Sequence, residues 1–377
     1  MKHMNNNKGY LAMPALPAKQ AGLSLIELMV ASVIGLFILA GAVTVFSGNS
    51  ASSKLSNGMA QIQDSGRVTL DILSNSIRMA GFEGCKSDSK APAIVLASTA
   101  PVINFPNTAL WGSEISAAGW APAQPDDLNN ITNASEGSDV IYLQHGSGRT
   151  TNLAVDMVSG TDTSITLANN PDQLSEDDMV MISDCQSSNI FRTSAVTNSS
   201  GNPSLTFGAS VNTQGNLTET FTGTGQLELT PLRVMRFIST AYYVAPSGRT
   251  TGAGAPIFSL FSLDTTTNPI GAPLELVEGV ENIQILYGEL IPSSGNIRYV
   301  TANNVGQMNN VVSVQIGVLI ATPNQVANSN DDRTYRIAGT TIGPPGDSST
   351  DFNHAGDRRM RAAFNTTIQL RNRHNIL

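Results

Sequence analysis

Residues 23–46, "LSLIELMVASVIGLFILAGAVTVF", are apolar or small except at Ser24, Glu27, Ser32 and Thr44. As a helix, 24 such residues are long enough to cross a bilayer core of about 30 Å. Beyond Phe46 the chain turns polar without a proline, and Leu55, Met59, Ile62, Gly66, Leu70, Leu73, Ile77 and Ala80 recur in steps of three and four. That period predicts a second, amphipathic half of the same helix over residues 47–80. Gly48 and Gly58 mark its weakest stretch, each costing about 1 kcal/mol relative to Ala. In "RMAGFEGC", Gly81 is placed to end the helix as a left-handed cap.

From residue 86 the period changes to two. "DVIYLQH", "TSITLA", "MVMISD", "RFISTAYYV", "IFSLFSL", "ENIQILYGEL", "VVSVQIGVLIAT" and "FNTTIQLRN" are short, β-branched or aromatic, and separated by turn residues. They predict an antiparallel sheet packed on the preceding helix, an α+β fold. Residues 196–225 and 323–356 are polar and Gly/Asn/Ser-rich, which predicts loops or hairpin insertions. The expected divisions are a leader over 1–22, a membrane half over 23–46, an amphipathic half over 47–80 and a β-rich exported domain over 81–377.

Charge orients the anchor. The chain of 377 residues carries a formal −8, and Lys2, Lys8 and Lys19 precede the apolar run with no acid, leaving −11 for the rest. Basic residues on that flank place the N-terminus in the cytoplasm and export the body. An acidic body without a basic stripe argues against a nucleic-acid partner. The only cysteines, Cys85 and Cys185, then lie where a disulfide is permitted. A bridge would close a loop of about 100 residues, worth roughly 4–5 kcal/mol in the chain-entropy model; two buried thiols are the alternative.

Glu27 is the residue the pattern does not excuse, since an acid at mid-membrane costs about 2.5–3.5 kcal/mol on insertion scales. A secretory signal with Ala40-Gly41-Ala42 at its cleavage site fits poorly, because the run exceeds the usual core of about 7–15 residues and contains that acid. A plain single-pass anchor leaves Glu27 unexplained. A cut between Gly22 and Leu23 supplies a reason. The new α-amine then lies one helical turn from Glu27, and in a bundle of such helices acid and amine would neutralise each other.

"GLSLIELMVA" resembles the cleavage and methylation segment of type IV pilins and their pseudopilin relatives, with Gly22 before the cut, Leu23 as the new first residue and Glu27 at the acidic position. Leu23 replaces the more usual phenylalanine, and the leader is long unless the start is Met4 or Met13. "RMAGFEGC", "LVEGVENIQILYGEL", "VVSVQIGVLIA" and "FNTTIQLRNR" resemble the PilW family of minor pilins, while residues 90–270 are carried only by position. The resemblance implies a pilin-like fold and cleavage by a membrane prepilin peptidase with methylation of Leu23. It also implies a single pass through the bacterial inner membrane and later placement in a surface fibre. Other minor and major pilins would be partners through the N-terminal helix, with Glu27 selecting the neighbour. The large body and the absence of proline from 23–46 favour a minor subunit that starts or caps the filament. A type II secretion pseudopilin would share Gly22, Leu23 and Glu27, and a membrane-anchored adhesin using the middle region is a reading of another class.

Nothing in the chain supports catalysis, a metal or a cofactor. His3, His145, His354 and His374 are too scattered for metal spacing. "QHGSGR" lacks the full nucleophile-elbow pattern and predicts a hairpin turn. "SEDDM" and "NSNDDR" lack the ligand order of a calcium loop and predict solvated turns. "DRRMR", residues 357–361, is a basic cluster that could pair with acidic neighbours and most simply predicts a solvated strand entrance.

Overall fold

A computed structural model describes residues 22–85, 93–98, 105, 109–158, 161–199, 201–224 and 231–372. Residues 1–21 of the expected leader, with His3, and His374 lie outside them. The chain divides into two compact units with the boundary between Lys54 and Leu55. In the first, helix α1 (Leu25–Met79) begins and is long and apolar enough to cross a membrane. Its side chains there are exposed, Leu23 and Phe37 at 76% each.

The second unit contains the rest of α1 and the β domain. Its principal strands are β1 (Leu110–Ser116), β2 (Asp139–Gly146), β3 (Met179–Ser183), β4 (Ser188–Arg192), β5 (Arg233–Thr250), β6 (Pro256–Asp264), β7 (Val280–Ile291), β8 (Asn296–Val300), β9 (Val311–Ala321) and β10 (Arg361–Gln369). A nine-stranded sheet is organised on the long β5. Arg233–Arg236 of β5 pair with β3, Phe237–Tyr242 with β2, and its second half with β6, all antiparallel. A four-stranded antiparallel sheet has the order β8-β7-β9-β10, with Ile285 opposite Ile316 and Ile316 opposite Thr366.

The largest core lies where α1 meets these sheets. Ile62, Leu73 and Ile77 pack with Ile283, Ile285, Val314, Ile316 and Ile368. Alternate residues of β7 and β9 face this core, as period-two patterning requires. The helix is unbroken through Gly48 and Gly58, and its end falls as expected: Gly81 has φ +78° and donates its N–H to Gln144 O at 2.9 Å.

Two expectations are corrected. Leu55 and Met59, placed on the buried face by their spacing, are 44% and 45% exposed, and Gly58 is buried instead. The chain packs tightly there: a Cβ on Gly58 would lie 3.1 Å from Thr322 Cγ2. Close approach recurs at Gly66, where a Cβ would lie 2.6 Å from the Phe364 ring. The two polar stretches carry hairpins, as expected: Tyr335–Ile337 pairs with Thr340–Gly343, joined by Phe352–Asn353, and Ala195–Ser199 pairs with Asn202–Thr206.

Second, "DRRMR" is not a solvated entrance; its arginines pair with acidic residues instead. Arg359 and Arg361 are buried; both bind Glu281, at 2.8 and 2.6 Å, and Asp357, at 2.7 and 2.8 Å. Asp331 of "NSNDDR" is buried too, accepting from Tyr335 Oη at 2.8 Å and pairing with Arg333 at 2.9 Å. These buried charges persist because each is paired and hydrogen-bonded. In "SEDDM", Asp178 likewise binds Arg236, with Nη2 to Oδ2 at 2.8 Å.

Candidate processing and assembly site

Gly22, Leu23 and Glu27 stand at the head of α1. Gly22 is exposed, and a Cβ built on it would touch nothing within 4 Å. Its lack of a side chain is therefore not demanded by packing. Leu23 precedes the helix, and the carbonyl of Ser24 accepts the first helical bond, from Leu28 N–H at 3.2 Å.

Ser24 and Glu27 form a capping box. The Ser24 N–H donates to Glu27 Oε2 at 3.0 Å, and the Glu27 N–H donates to Ser24 Oγ at 3.2 Å. Two of the otherwise unsatisfied donors of the helix start are thus used. An acid in the first turn also meets the positive end of the helix dipole. This local role was legible in the Ser-x-x-Glu spacing of residues 24–27, and it qualifies the argument that Glu27 lacks a partner in an uncut chain. Glu27 Oε1 keeps no hydrogen-bond partner among the described residues. The other polar positions of the apolar run are closed internally: Ser32 Oγ donates to Leu28 O at 2.7 Å and Thr44 Oγ1 to Ala40 O at 2.9 Å, bonds to the preceding turn that hide a hydroxyl.

Cys85 and Cys185 are joined in a disulfide, with Cα atoms 5.1 Å apart. Cys85 follows the end of α1 through Gly81 and Gly84, both at positive φ. Cys185 sits in the turn between β3 and β4, where Asp184 Oδ1 accepts from the N–H groups of Gln186 and Ser187 at 2.8 and 2.7 Å. Beside the bridge, Glu83 is buried and its Oε2 accepts from Ser188 Oγ at 3.0 Å. The bridge therefore fastens the helix end to the large sheet.

The remaining candidates do not converge. His145 is buried in β2 with Nδ1 bonded to Gly146 O at 2.8 Å, and burial lowers its pKa. Its Gln144–Arg149 segment does not turn back as a hairpin; the chain continues beside β5, with Thr151 bridging Val234. His354 bonds Arg333 O through Nε2 at 2.9 Å. Among the described residues no three His, Cys, Asp or Glu side chains are grouped to hold a metal.

Residues 17–43 match the family model of the prokaryotic N-terminal methylation motif, and residues 241–372 match that of type IV pilus-assembly protein W. These matches support a type IV pilus minor pilin of the PilW kind. No curated protein and no solved structure matches the chain. The PilW match begins within β5 and runs through the four-stranded sheet to Asn372, so it covers the sheet that packs on α1. Residues 44–240 lie outside both matches. PilW pilins are structural components of the pilus.

Proposed function

We propose that this chain is cut after Gly22 by a prepilin peptidase, methylated at Leu23, and assembled as a minor subunit that initiates or caps a type IV pilus. Before assembly the leader lies in the cytoplasm, residues 23–46 cross the inner membrane and the disulfide-bonded body lies in the periplasm. Glu27 then neutralises the α-amine of a neighbouring pilin within the helix bundle, where an amine without a counter-charge is costly. The observation that carries this reading is the placing of Gly22, Leu23 and Glu27 at the head of an exposed apolar helix within the matched methylation segment. The match to PilW over 241–372 favours a pilus over a secretion pseudopilus.

Intact mass and N-terminal sequencing of the protein from native membranes test the processing. A mature chain beginning at N-methyl-Leu23 is expected, and Gly22→Val should hold the precursor in the inner membrane. A mature start at Val43, or an uncut chain, would overturn it.

A further inference from the structure

Strand β8 ends at Val300, opposite Tyr287, so the first part of β7, from Val280, runs without β8 along one edge. Residues 137–139, at the start of β2, take the place of the missing strand. Ser138 Oγ accepts the Ile283 N–H at 3.1 Å and Asp139 Oδ2 accepts the Ile285 N–H at 2.7 Å. Asn282 and Gln284 both donate to Gly137 O at 2.7 Å. Just past β8, the Ala302 N–H donates to Glu114 Oε1 at 3.1 Å. Two carboxylates thus join the large sheet to the four-stranded sheet that packs on α1.

Those carboxylates also stand side by side. Glu114 and Asp139 are directly opposite each other across β1 and β2, which brings their Cβ atoms to about 4.5–5.5 Å. Tyr287 of β7, 1% exposed, lies over Gly112, two residues before Glu114, and its hydroxyl has no partner among the described residues. The charges that act on Asp139 and Tyr287 are acidic, with Glu114 acting on both. The 301–304 turn carries no charged side chain. Farther along β7, Glu289 is already paired with Arg298 of β8 at 2.8 Å. Asp139 is buried and Glu114 half-buried, and two acids so placed repel each other strongly when both are charged. One proton held between them leaves a single charge and preserves both backbone bonds. We propose that Glu114 and Asp139 share one proton, and that its loss to water sets two like charges against each other and opens the seam between the two sheets. Burial, reinforced by the Glu114 charge, raises the Asp139 carboxyl, and burial raises Glu114. A raised acid gives stability that is complete at low pH and is lost on passing its folded value. The seam is therefore tight in acid and loosens towards alkaline pH.

The test follows the full-length protein in detergent from about pH 5 to about pH 9, by hydrogen exchange and by the infrared band of protonated carboxyls. Asp139→Asn and Glu114→Gln each keep an acceptor for the seam's backbone N–H and remove one charge. Comparison with Asp139→Asn at the same pH cancels the chemistry of exchange. Against it, wild-type amides of residues 283–287 should lose protection about tenfold or more towards alkali. Exposed carboxyls have titrated below this range, so the infrared band reports the raised ones. In Glu114→Gln its midpoint should fall by about one pH unit or more, since groups sharing a proton are coupled by at least that much. The two readings use different variants, so either one that folds is decisive. Wild-type protection that follows Asp139→Asn at every pH, no carboxyl band in this range, or a midpoint indifferent to Glu114→Gln would overturn the proposal.

Discussion

Ser24 and Glu27 cap each other: each donates its backbone N–H to the other's side chain, at 3.0 and 3.2 Å. One carboxylate thus closes the helix start while presenting a second oxygen outward. The two duties separate by mutation. Ser24→Ala removes one bond of the cap, costing about 1 kcal/mol of local helix stability, but keeps the charge. Pilus number on cells should stay near wild type. Loss of pili as severe as in Glu27→Leu would mean that the cap, rather than the charge, is what assembly needs.

Gly66→Ala should destabilise the second unit by roughly 1–3 kcal/mol, the usual range for overpacking, because its Cβ would enter the Phe364 ring on β10. Gly48→Ala meets nothing within 4 Å and should instead stabilise the helix by up to about 1 kcal/mol. Denaturant unfolding of both variants reads the contrast. Equal effects would show that Gly66 is not a packing residue.

Replacing Cys85 and Cys185 together by Ser should lower stability by up to about 4–5 kcal/mol in the chain-entropy model, given their separation of 100 residues. Peptide mapping without reduction should recover the linked pair from exported protein. Both thiols freely alkylated would discard the bridge.

Asp139 pairs across β1–β2 with Glu114, and its Oδ2 accepts the Ile285 N–H at 2.7 Å. Burial, reinforced by the Glu114 charge, pushes the Asp139 carboxyl well above its ordinary range against the pull of the Ile285 bond. A raised acid adds stability that is complete below the unfolded pKa of about 3.9 and is lost as pH rises through the folded value. Asp139→Asn mimics the neutral form, so it should melt above wild type at pH 7, with the gap closing towards pH 4. Thermal melts across that window check it; an Asn variant less stable at pH 7 would contradict the burial argument. Asp357 has the opposite sign. Burial raises it, but Arg361 and Arg359 outweigh burial and leave it low, so its contribution disappears only as pH falls below about 3.9.

Much of the fold is legible in hydrophobic period. All eight segments read as period-two fall on strands, and Gly81 ends the helix where its neighbours say it should. What the period missed depends on partners distant in sequence. Gly58 read as a weak helix position and Gly66 as one member of the helix face, yet each is where a residue far along the chain, Thr322 and Phe364, comes close. The charges of 357–361 looked solvated because Glu281, which meets Arg361 at 2.6 Å, lies 80 residues earlier. At the helix head the limits are reversed: Gly22, Leu23 and Glu27 are local in sequence, and so is the Ser24 cap.

Glu27→Gln tests the central claim most directly. Glutamine at this position can still accept the Ser24 N–H, so the capping box survives and only the negative charge is lost. Pilus counts on cells, with co-purification of other minor pilins from membranes, are the measurement, and cleavage after Gly22 serves as the control for insertion. The account predicts normal cleavage with pili and co-purification nearly as poor as in Glu27→Leu. Wild-type piliation by the Gln variant would show that Glu27 acts through its cap and does not select partners by charge.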